Sequence, residues 1–422
     1  MSKWQQVKLG DIASNIQTGP FGSQLHQSDY SEIGTPVVMP KDLVDGKISE
    51  QSIARVEPSH VKRLAKHKIQ NGDILYSRRG DVGRCAYAGK EESGWLCGTG
   101  CLRVTIDESH AFPKFIFYQL QTSQSVGWVE KHAVGSTMLN LNTSILSNVP
   151  VSLPPIEVQR KIADVLSAYD DLIENNRKQI KLLEEAAQRL YKEWFIDLRF
   201  PGHETTPIID GIPEGWERKT VEEFLNFHAN GGWGKETSMG KCVNIGKVIR
   251  GTDIDPIKQS GNVDNIPIRY HSELDIKNKK LLPNDIVFEL SNGNLNNIGR
   301  SLLINTPLLE QCGMDTICAS FCKLLRAKNR FHAILLFMEI QDMQSSGRML
   351  PFKKHGANGI NNFDFESFLS HSLLYSNNAD LLCHIDAIIQ KIDILRLNIK
   401  NAIESRDHLL PKLMTAELEV ER

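Results

Sequence analysis

Two long stretches of the chain place apolar residues at alternating intervals of three and four, the pattern of a helix with one apolar stripe. The first stretch covers about 156–197 and the second about 379–414. The stripe positions expected to pair are Ile173, Ile180, Leu183, Leu190 and Trp194 in the first stretch and Ile388, Ile392, Leu395, Ile399 and Leu409 in the second. A single such helix would expose its stripe to water. The pattern therefore predicts that the two helices pack against each other, antiparallel.

Short apolar runs bounded by Gly, Pro and Asp fill the rest of the chain and predict strands and turns. Runs of this kind at 35–39 and 73–76 are typical. Pro154-Pro155 marks a strand-to-helix corner, because proline suits the first turn of a helix. The predicted divisions are a globular domain at 1–154, a long helix at 155–198, a Pro- and Gly-rich linker at 199–214, a second domain at 215–377 and a second long helix at 378–422.

Several sequence features occur twice. The interval in sequence from Trp4 to Trp216 equals that from Asp73 to Asp285 and that from the stripe position Ile173 to Ile385, and we call it the repeat offset. A Cys-x-x-x-Cys spacing at 97–101 returns at 318–322. The fold class predicted is α+β: two similar mixed α/β domains separated by two long antiparallel coiled-coil helices, with pseudo-two-fold symmetry. Such a duplicated protein suits a ligand with two-fold character, and duplex DNA is the candidate.

Composition limits the possible functions. The 422 residues are 41% hydrophobic and carry a formal net charge of −2, which indicates a folded protein without overall attraction for nucleic acid. A DNA-binding surface must then be local or shared with another subunit. Eight irregularly spaced cysteines, no apolar leader and no apolar run of about 18 residues predict a reduced cytoplasmic protein without a membrane span.

Motifs for catalysis are not evident in the sequence. There is no phosphate-binding Gly-rich loop, and Leu153-Pro154-Pro155-Ile156 lacks the amide or carboxylate of an amino-methyltransferase site. The paired cysteines at 97, 101, 318 and 322 could be imagined as zinc ligands, but their flanks are typical of buried strands. We therefore expect no catalytic residue, no metal and no cofactor in this chain.

Polar and basic loops are the candidate DNA-binding elements. Arginine suits phosphate and guanine, whereas asparagine suits the edge of adenine, so matching loops of different chemistry would read different half-sites. The candidates in the first domain are Ser77, Arg78, Arg79 and Arg84, with Lys131 on a later segment. Those in the second domain are Asn292, Asn294 and Arg300 and a basic cluster of Arg348, Lys353, Lys354 and His355.

The motifs together resemble one known family. They are Trp4-x₄-Leu9-Gly10-Asp11-Ile12, Gly72-Asp73-Ile74-Leu75-x-Ser77-x-x-Gly80, Leu153-Pro154-Pro155-x₃-Gln159, Leu183-Glu184-x-x-Ala187-x-x-Leu190-Tyr191-x-x-Trp194-Phe195 and Arg406-Asp407-x-Leu409-Leu410-Pro411-Lys412-Leu413. The chain resembles the specificity subunit of type I restriction–modification enzymes over nearly its whole length. The second copy departs from the pattern, with Glu289 where the first has Ser77.

The resemblance implies two target-recognition domains, each reading one half of a split double-stranded DNA site, with the helices as a spacer. It also implies two modification subunits that carry the methyltransferase site and S-adenosylmethionine, together with restriction and translocase subunits. Two alternatives remain open from the residues alone. One is a fragment of a fused restriction–methylation enzyme, and the other is a coiled-coil adaptor whose domains bind protein.

Overall fold

The computed structural model describes residues 4–135, 138–356 and 359–419. The chain forms two compact units: unit one comprises residues 1–170 and 404–422, and unit two comprises residues 171–403. Each unit contains a globular domain and a segment of both long helices. This division differs from the predicted domain bounds because helix segments pack with the globular part that they contact.

Unit one is built on a four-stranded antiparallel sheet in which Cys101–Ile106 lies between Ala13–Thr18 and Ile74–Ser77, and Cys85–Tyr87 pairs outside Ile74–Ser77. A second sheet contains Tyr30–Ser31, Ala54–Val56, Thr35–Val38 and Leu96–Cys97, the last two parallel. Two strand pairs complete the unit: Gln5–Lys8 with Pro150–Leu153, and Leu43–Val44 with Lys47–Ile48. Its α-helices are Leu9–Ile12, Pro58–Arg63, Pro113–Leu120, Ser123–His132 and Thr143–Ser147, and its 3₁₀ turns are Gln27–Asp29, Pro40–Asp42 and Ala65–His67.

Unit two has the corresponding four-stranded sheet, in the order Leu225–Asn230, Cys322–Ala327, Asp285–Glu289 and Ser301–Leu303. Its other sheets are Ile268–Ser272, Cys242–Ile249 and Thr316–Cys318; Ser291–Asn292, Asn361–Phe363 and Lys353–Lys354; Trp216–Thr220 with Ser372–Ser376; and Ile208–Ile209 with Ile212–Pro213. Its α-helices are Val221–Phe224, Gly251–Ser260, Glu273–Lys279, Thr306–Cys312, Arg330–Ser346 and Phe365–Leu369. A π turn at Lys192–Ile196 and 3₁₀ turns at Leu295–Asn297 and Leu350–Phe352 complete the list.

The main sheets of the two units share their strand order, as the sequence repeat predicts. The first strands of the main sheets begin at Ala13 and Leu225, which are separated by the repeat offset. The long helices begin at Ile156 and Ala379, which are separated by a longer interval than the repeat offset. The repeat offset between helix stripes therefore does not mark equivalent positions, because a heptad stripe recurs at every heptad and matches itself at several offsets.

The long helices run from Ile156 to Tyr191 and from Ala379 to Met414, and the second continues through Pro411. Most of the predicted stripe is buried: Ile173, Ile180, Trp194, Ile392, Leu395 and Ile399. The remaining stripe positions are partly buried: Leu183, Leu190, Ile388 and Leu409. Unit two pairs Arg396 with Glu184, with 2.9 Å between Nη2 and Oε1, and sets the rings of Trp194 and His384 5.9 Å apart. These contacts confirm an antiparallel pairing within that unit, because one sequence number rises as the other falls.

The corner before the first long helix is closed by Gln159, which is buried at its first turn. Its Nε2 donates to the carbonyl of Pro154 at 2.9 Å, and its Oε1 accepts from the backbone amide of Phe112 at 2.9 Å. The Pro154-Pro155 segment is thus a strand-to-helix corner, as predicted. The glutamine thus satisfies the Pro154 carbonyl and joins the corner to the backbone at Phe112.

The repeated cysteines lie in the cores of the two units. Cys97, Cys101, Cys318 and Cys322 are fully buried, and burial raises the pKa of Cys97 and Cys318 to about 12. Thiols in such surroundings stay protonated and act as small apolar side chains. Within the described ranges, no group of three or more His, Cys, Asp or Glu residues could hold a metal ion. None of the helices in those ranges is long and apolar enough to cross a bilayer.

Candidate nucleic-acid interface

The loop at 78–84 in unit one follows strand Ile74–Ser77 and is held by its backbone. The amide of Arg78 donates to the carbonyl of Gly100 at 2.8 Å, and the amide of Leu141 donates to the carbonyl of Arg78 at 2.8 Å. Gly80 turns the chain at φ +74°. Ser77 is buried and its hydroxyl donates to the carbonyl of Arg79 at 3.0 Å, so it shapes the loop and does not reach the surface.

The three arginines of this loop differ in how free they are. Arg79 is exposed, and within the described part of the chain its guanidinium has no ion-pair partner. Arg84 pairs with Asp81 at 2.8 Å on the surface, and Arg78 is half-buried with no hydrogen-bond partner for its Nε. Arg79 is therefore the arginine best placed to meet a phosphate or a base edge.

Helix Ser123–His132 packs beside this loop. A Cβ placed on Gly83 would lie 2.7 Å from Cγ1 of Val126, so a larger residue there would displace the Val126 side chain. Lys131 is exposed in the last turn of the helix, and the ring of His132 stacks on that of Trp128 at 3.9 Å. The exposed Lys131 and the arginine loop are thus cationic positions on adjoining elements.

The asparagines of the loop in unit two are engaged in shaping that loop. Asn292 donates from Nδ2 to Oε1 of Glu289 at 2.7 Å and accepts at Oδ1 from the amide of Asn294 at 2.7 Å. Asn294 in turn accepts from the amide of Asn296 at 3.0 Å. Asn294 is exposed and Asn292 half-buried, so both side chains remain accessible to a ligand.

Arg300 does not match its predicted role as a DNA contact. Its Nε donates to Oε2 of Glu289 at 2.8 Å, its Nη1 forms an ion pair with Asp255, and its Nη2 donates to the carbonyl of Gly251 at 2.9 Å. These partners occupy the guanidinium and hold it inside unit two. The sequence could not show this, because the acids that pair with Arg300 are distant in the chain.

The members of the predicted basic cluster of unit two all have partners within the unit. Arg348 forms ion pairs with the buried Glu339 at 3.0 Å and with Asp342. Lys353 donates to the carbonyl of Leu295 at 3.2 Å, and burial lowers its pKa. The two exposed members are also engaged, Lys354 with Asp364 at 2.7 Å and His355 with Asn361 at 3.0 Å.

A pair of exposed aromatic residues beside the loops was not predicted. Phe21 in unit one and Trp233 in unit two are separated by the repeat offset. Each follows a glycine whose amide donates to a cysteine carbonyl, Gly19 to Cys101 and Gly231 to Cys322, both at 2.9 Å. The matched Gly-x-aromatic spacing was the available signal, and it becomes visible only once the repeat offset is applied to every position.

The comparisons with known proteins agree on one family. Residues 1–185 match the family model described as the type I restriction modification DNA specificity domain. The MjaIX specificity subunit of Methanocaldococcus jannaschii is 25% identical over 99% of this chain and 94% of that protein. The HindI specificity subunit of Haemophilus influenzae is 28% identical over 50% of this chain and 45% of that protein. The crystal structure of the type I restriction–modification S subunit from M. genitalium matches this chain with a TM-score of 0.56 at 16% identity. The match covers 97% of this chain and 96% of that one, and it confirms the fold.

Proposed function

We infer that this chain, which belongs to the family of type I restriction–modification specificity subunits, is the sequence-specific DNA-recognition subunit of such a complex. One observation carries the inference. Two units whose main sheets have the same strand order each present a loop after the same strand of that sheet, arginine-rich in unit one and asparagine-rich in unit two. Each loop would read one half of a bipartite duplex site, and the different side chains would select different bases.

The direct contacts proposed in unit one are made by Arg79, Arg84 and Lys131. Among the described residues Arg79 has no ion-pair partner, and Arg84 can exchange Asp81 for a phosphate because that pair is exposed and contributes little. In unit two, the direct contacts proposed are made by Asn292 and Asn294. Ser77 and Arg300 would support the loops from within, without touching DNA.

The partners proposed follow from the chemistry that this chain leaves to others. Two modification subunits would supply the methyltransferase site and bind S-adenosylmethionine, and restriction subunits would supply cleavage and translocation. A formal net charge of −2 fits a subunit that shares the cationic surface of its complex. We place the complex in the cytoplasm, where chromosomal and incoming DNA are both accessible.

A salt titration tests the proposed function directly. The complex of this chain with its modification subunits is used to select binders from randomised duplexes, and the affinity for the selected duplex is measured across salt concentrations. The logarithm of the binding constant should fall steeply with that of salt, with a slope of about −0.9 per phosphate contacted. A weak salt dependence with no enriched sequence would instead favour a protein-binding adaptor.

Helix length provides a second test, because the paired helices are proposed to set the gap between half-sites. Seven residues added to each long helix keep the apolar stripes in phase and add about 10 Å of rise. The preferred gap should grow by about three base pairs at about 3.4 Å each. The same seven residues inserted between Glu204 and Thr205 in the linker are the control. An unchanged gap in the helix variant would refute the spacer role.

A further inference from the structure

Unit two contains a cavity of about 500 Å³ directly beside its recognition loop. Two aromatic side chains, Trp233 and Phe321, line it together with Arg250, Glu289 and Asn292. Trp233 is 40% and Phe321 55% exposed, so both rings are open to a ligand. The loop proposed to read DNA therefore continues into a chamber with aromatic walls.

Both aromatic walls are fixed by their backbones. A Cβ on Gly231 would lie 2.1 Å from the carbonyl oxygen of Ala319, so only glycine lets the Trp233 segment lie this close to the turn before Cys322. The amide of Leu290 donates to the carbonyl of Phe321 at 2.8 Å. The backbone that carries each ring is therefore in place before a ligand arrives, which lowers the entropic cost of binding.

An acidic group lines the same cavity. The carboxylate of Glu289 is almost fully buried and accepts one hydrogen bond at each oxygen, from Asn292 Nδ2 at 2.7 Å and from Arg300 Nε at 2.8 Å. An ionised carboxylate has about four acceptor positions, so acceptor capacity remains. A carboxylate at this place selects a ligand that donates a hydrogen bond, and the exocyclic amino groups of adenine, cytosine and guanine are donors of that kind.

We propose that this cavity binds one nucleobase carrying an exocyclic amino group, adenine, cytosine or guanine, that has left the stack of the bound duplex. The ring packs against Trp233 and Phe321, and the amino group donates to Glu289. Arg250, half-exposed at the cavity and paired with Asp253, lies where the phosphate of the displaced nucleotide would pass. This inference rests on the proposed function, because the base arrives with duplex DNA.

Among the described residues, the positions of unit one that match the cavity lining carry different side chains. The residue opposite Cys101 in the sheet is Ser77, whereas Glu289 lies opposite Cys322. The residue before Cys101 is Gly100, where unit two has Phe321. At these matching, described positions unit one keeps one aromatic residue, Phe21, but has neither the second ring nor the acid. The two half-sites would be read by different means, with base capture confined to unit two.

An abasic scan of the selected duplex tests the proposal. The complex with its modification subunits is mixed with duplexes in which each base in turn faces an abasic site, which lowers the cost of unstacking that base. At one position of one half-site, affinity should rise several-fold. Trp233→Ala should abolish that gain and weaken binding by about five-fold or more, the range of one base–aromatic stack, while Trp233→Phe keeps most of both. Methyltransferases also extrude their own target base, so affinity can rise at that base for a reason unrelated to the cavity. Only a rise in affinity that Trp233→Ala removes counts as base capture by unit two.

A matched control and a change in the DNA complete the design. Phe227 is 39% exposed and lies outside the cavity, so Phe227→Ala should leave the scan unchanged. Replacing the captured base by its analogue without the amino group should weaken binding to the wild-type complex. If the wild-type complex binds duplex DNA with steep salt dependence but Trp233→Ala alters no position, the base-capture proposal is overturned and the proposed function stands. If the wild-type complex shows no salt-dependent duplex binding, both fall.

Discussion

The phenolic oxygen of Tyr191, at the end of the first long helix, donates a hydrogen bond of 2.7 Å to Oε2 of Glu339 within unit two. Glu339 is buried in helix Arg330–Ser346 and also accepts from Arg348 at 3.0 Å and from His371 at 2.8 Å. Three donors from three segments therefore converge on one carboxylate. The end of the long helix is fixed to the globular part of unit two by a charge that must stay ionised.

Low pH should lower the stability of unit two because it protonates Glu339. Burial alone would raise the pKa of this carboxyl, but the hydrogen bonds from His371, Arg348 and Tyr191 outweigh burial and bring it to about 2. The unfolded chain then binds more protons than the folded one between about pH 4.5 and 2, so stability present above pH 4.5 is lost as pH falls. The loss amounts to about 3 kcal/mol in full. Urea unfolding at pH 5 and pH 3 should show a smaller drop for Glu339→Gln than for wild type, and Glu310→Gln, on the surface, should behave as wild type.

The helix pairing should depend on the buried stripe alone. Ile180 is 4% exposed, whereas Leu182, two residues away on the same helix, is 64% exposed. Ile180→Ala should lower the free energy of unfolding by about 2–5 kcal/mol, because it leaves a cavity in the seam. Leu182→Ala should change it by less than about 0.5 kcal/mol. Equal effects in chemical denaturation would show that the seam is not packed as described.

Arg79 should contribute a single contact in unit one. Arg79→Ala should weaken duplex binding and reduce the slope of the salt dependence by about one. If the contact is to a base, selection from randomised duplexes should also show relaxed preference at one position of one half-site. Lys90→Ala removes an equally exposed charge from the same unit and should leave both measurements near wild type. Unchanged affinity and preference in Arg79→Ala would remove this residue from the interface.

The glycine that positions Trp233 should be irreplaceable, while its neighbour should not. A Cβ on Gly231 meets the Ala319 carbonyl at 2.1 Å, but a Cβ on Gly232 lies 3.6 Å from the nearest side-chain atom, an ordinary contact. Gly231→Ala should therefore displace the aromatic segment, destabilise unit two and weaken DNA binding, and Gly232→Ala should do neither. Thermal unfolding and duplex affinity of the two variants provide the comparison.

The long helices were predictable because their periodicity is local. The predicted bounds of the second, 379–414, agree with the structure, and the first begins at Ile156 as predicted but passes into a π turn at Lys192. The same local periodicity made the sequence offset between the two helices ambiguous. A stripe that recurs at every heptad can be aligned with another stripe in several ways. Strand pairing supplies the missing reference, since Leu153 pairs with Gln5 and Tyr375 with Glu217.

The candidate site was less predictable, because basic residues look alike in sequence whatever their partners. Arg79 and Arg300 both lie in loops after a strand, yet Arg79 is exposed and Arg300 is enclosed by Glu289 and Asp255. Arg348 is held in the same way by Glu339. Ion pairs between residues far apart in the chain depend on tertiary packing, which no local pattern encodes. The aromatic residues at 21 and 233 were, by contrast, present in the repeat and could have been found.

Unit one is formed by two segments far apart in the sequence, 1–170 and 404–422, and this affects how the protein is made. Leu413 and Met414 belong to its core with Leu166, although the whole of unit two is translated between them. At about 5–20 residues per second, a ribosome takes on the order of ten seconds or more to make that intervening segment. The earliest-made half of the polypeptide must wait, with part of its interior uncovered, for nearly the last residues to emerge. Premature termination upstream of 404 would therefore damage the half already synthesised as well as the one interrupted.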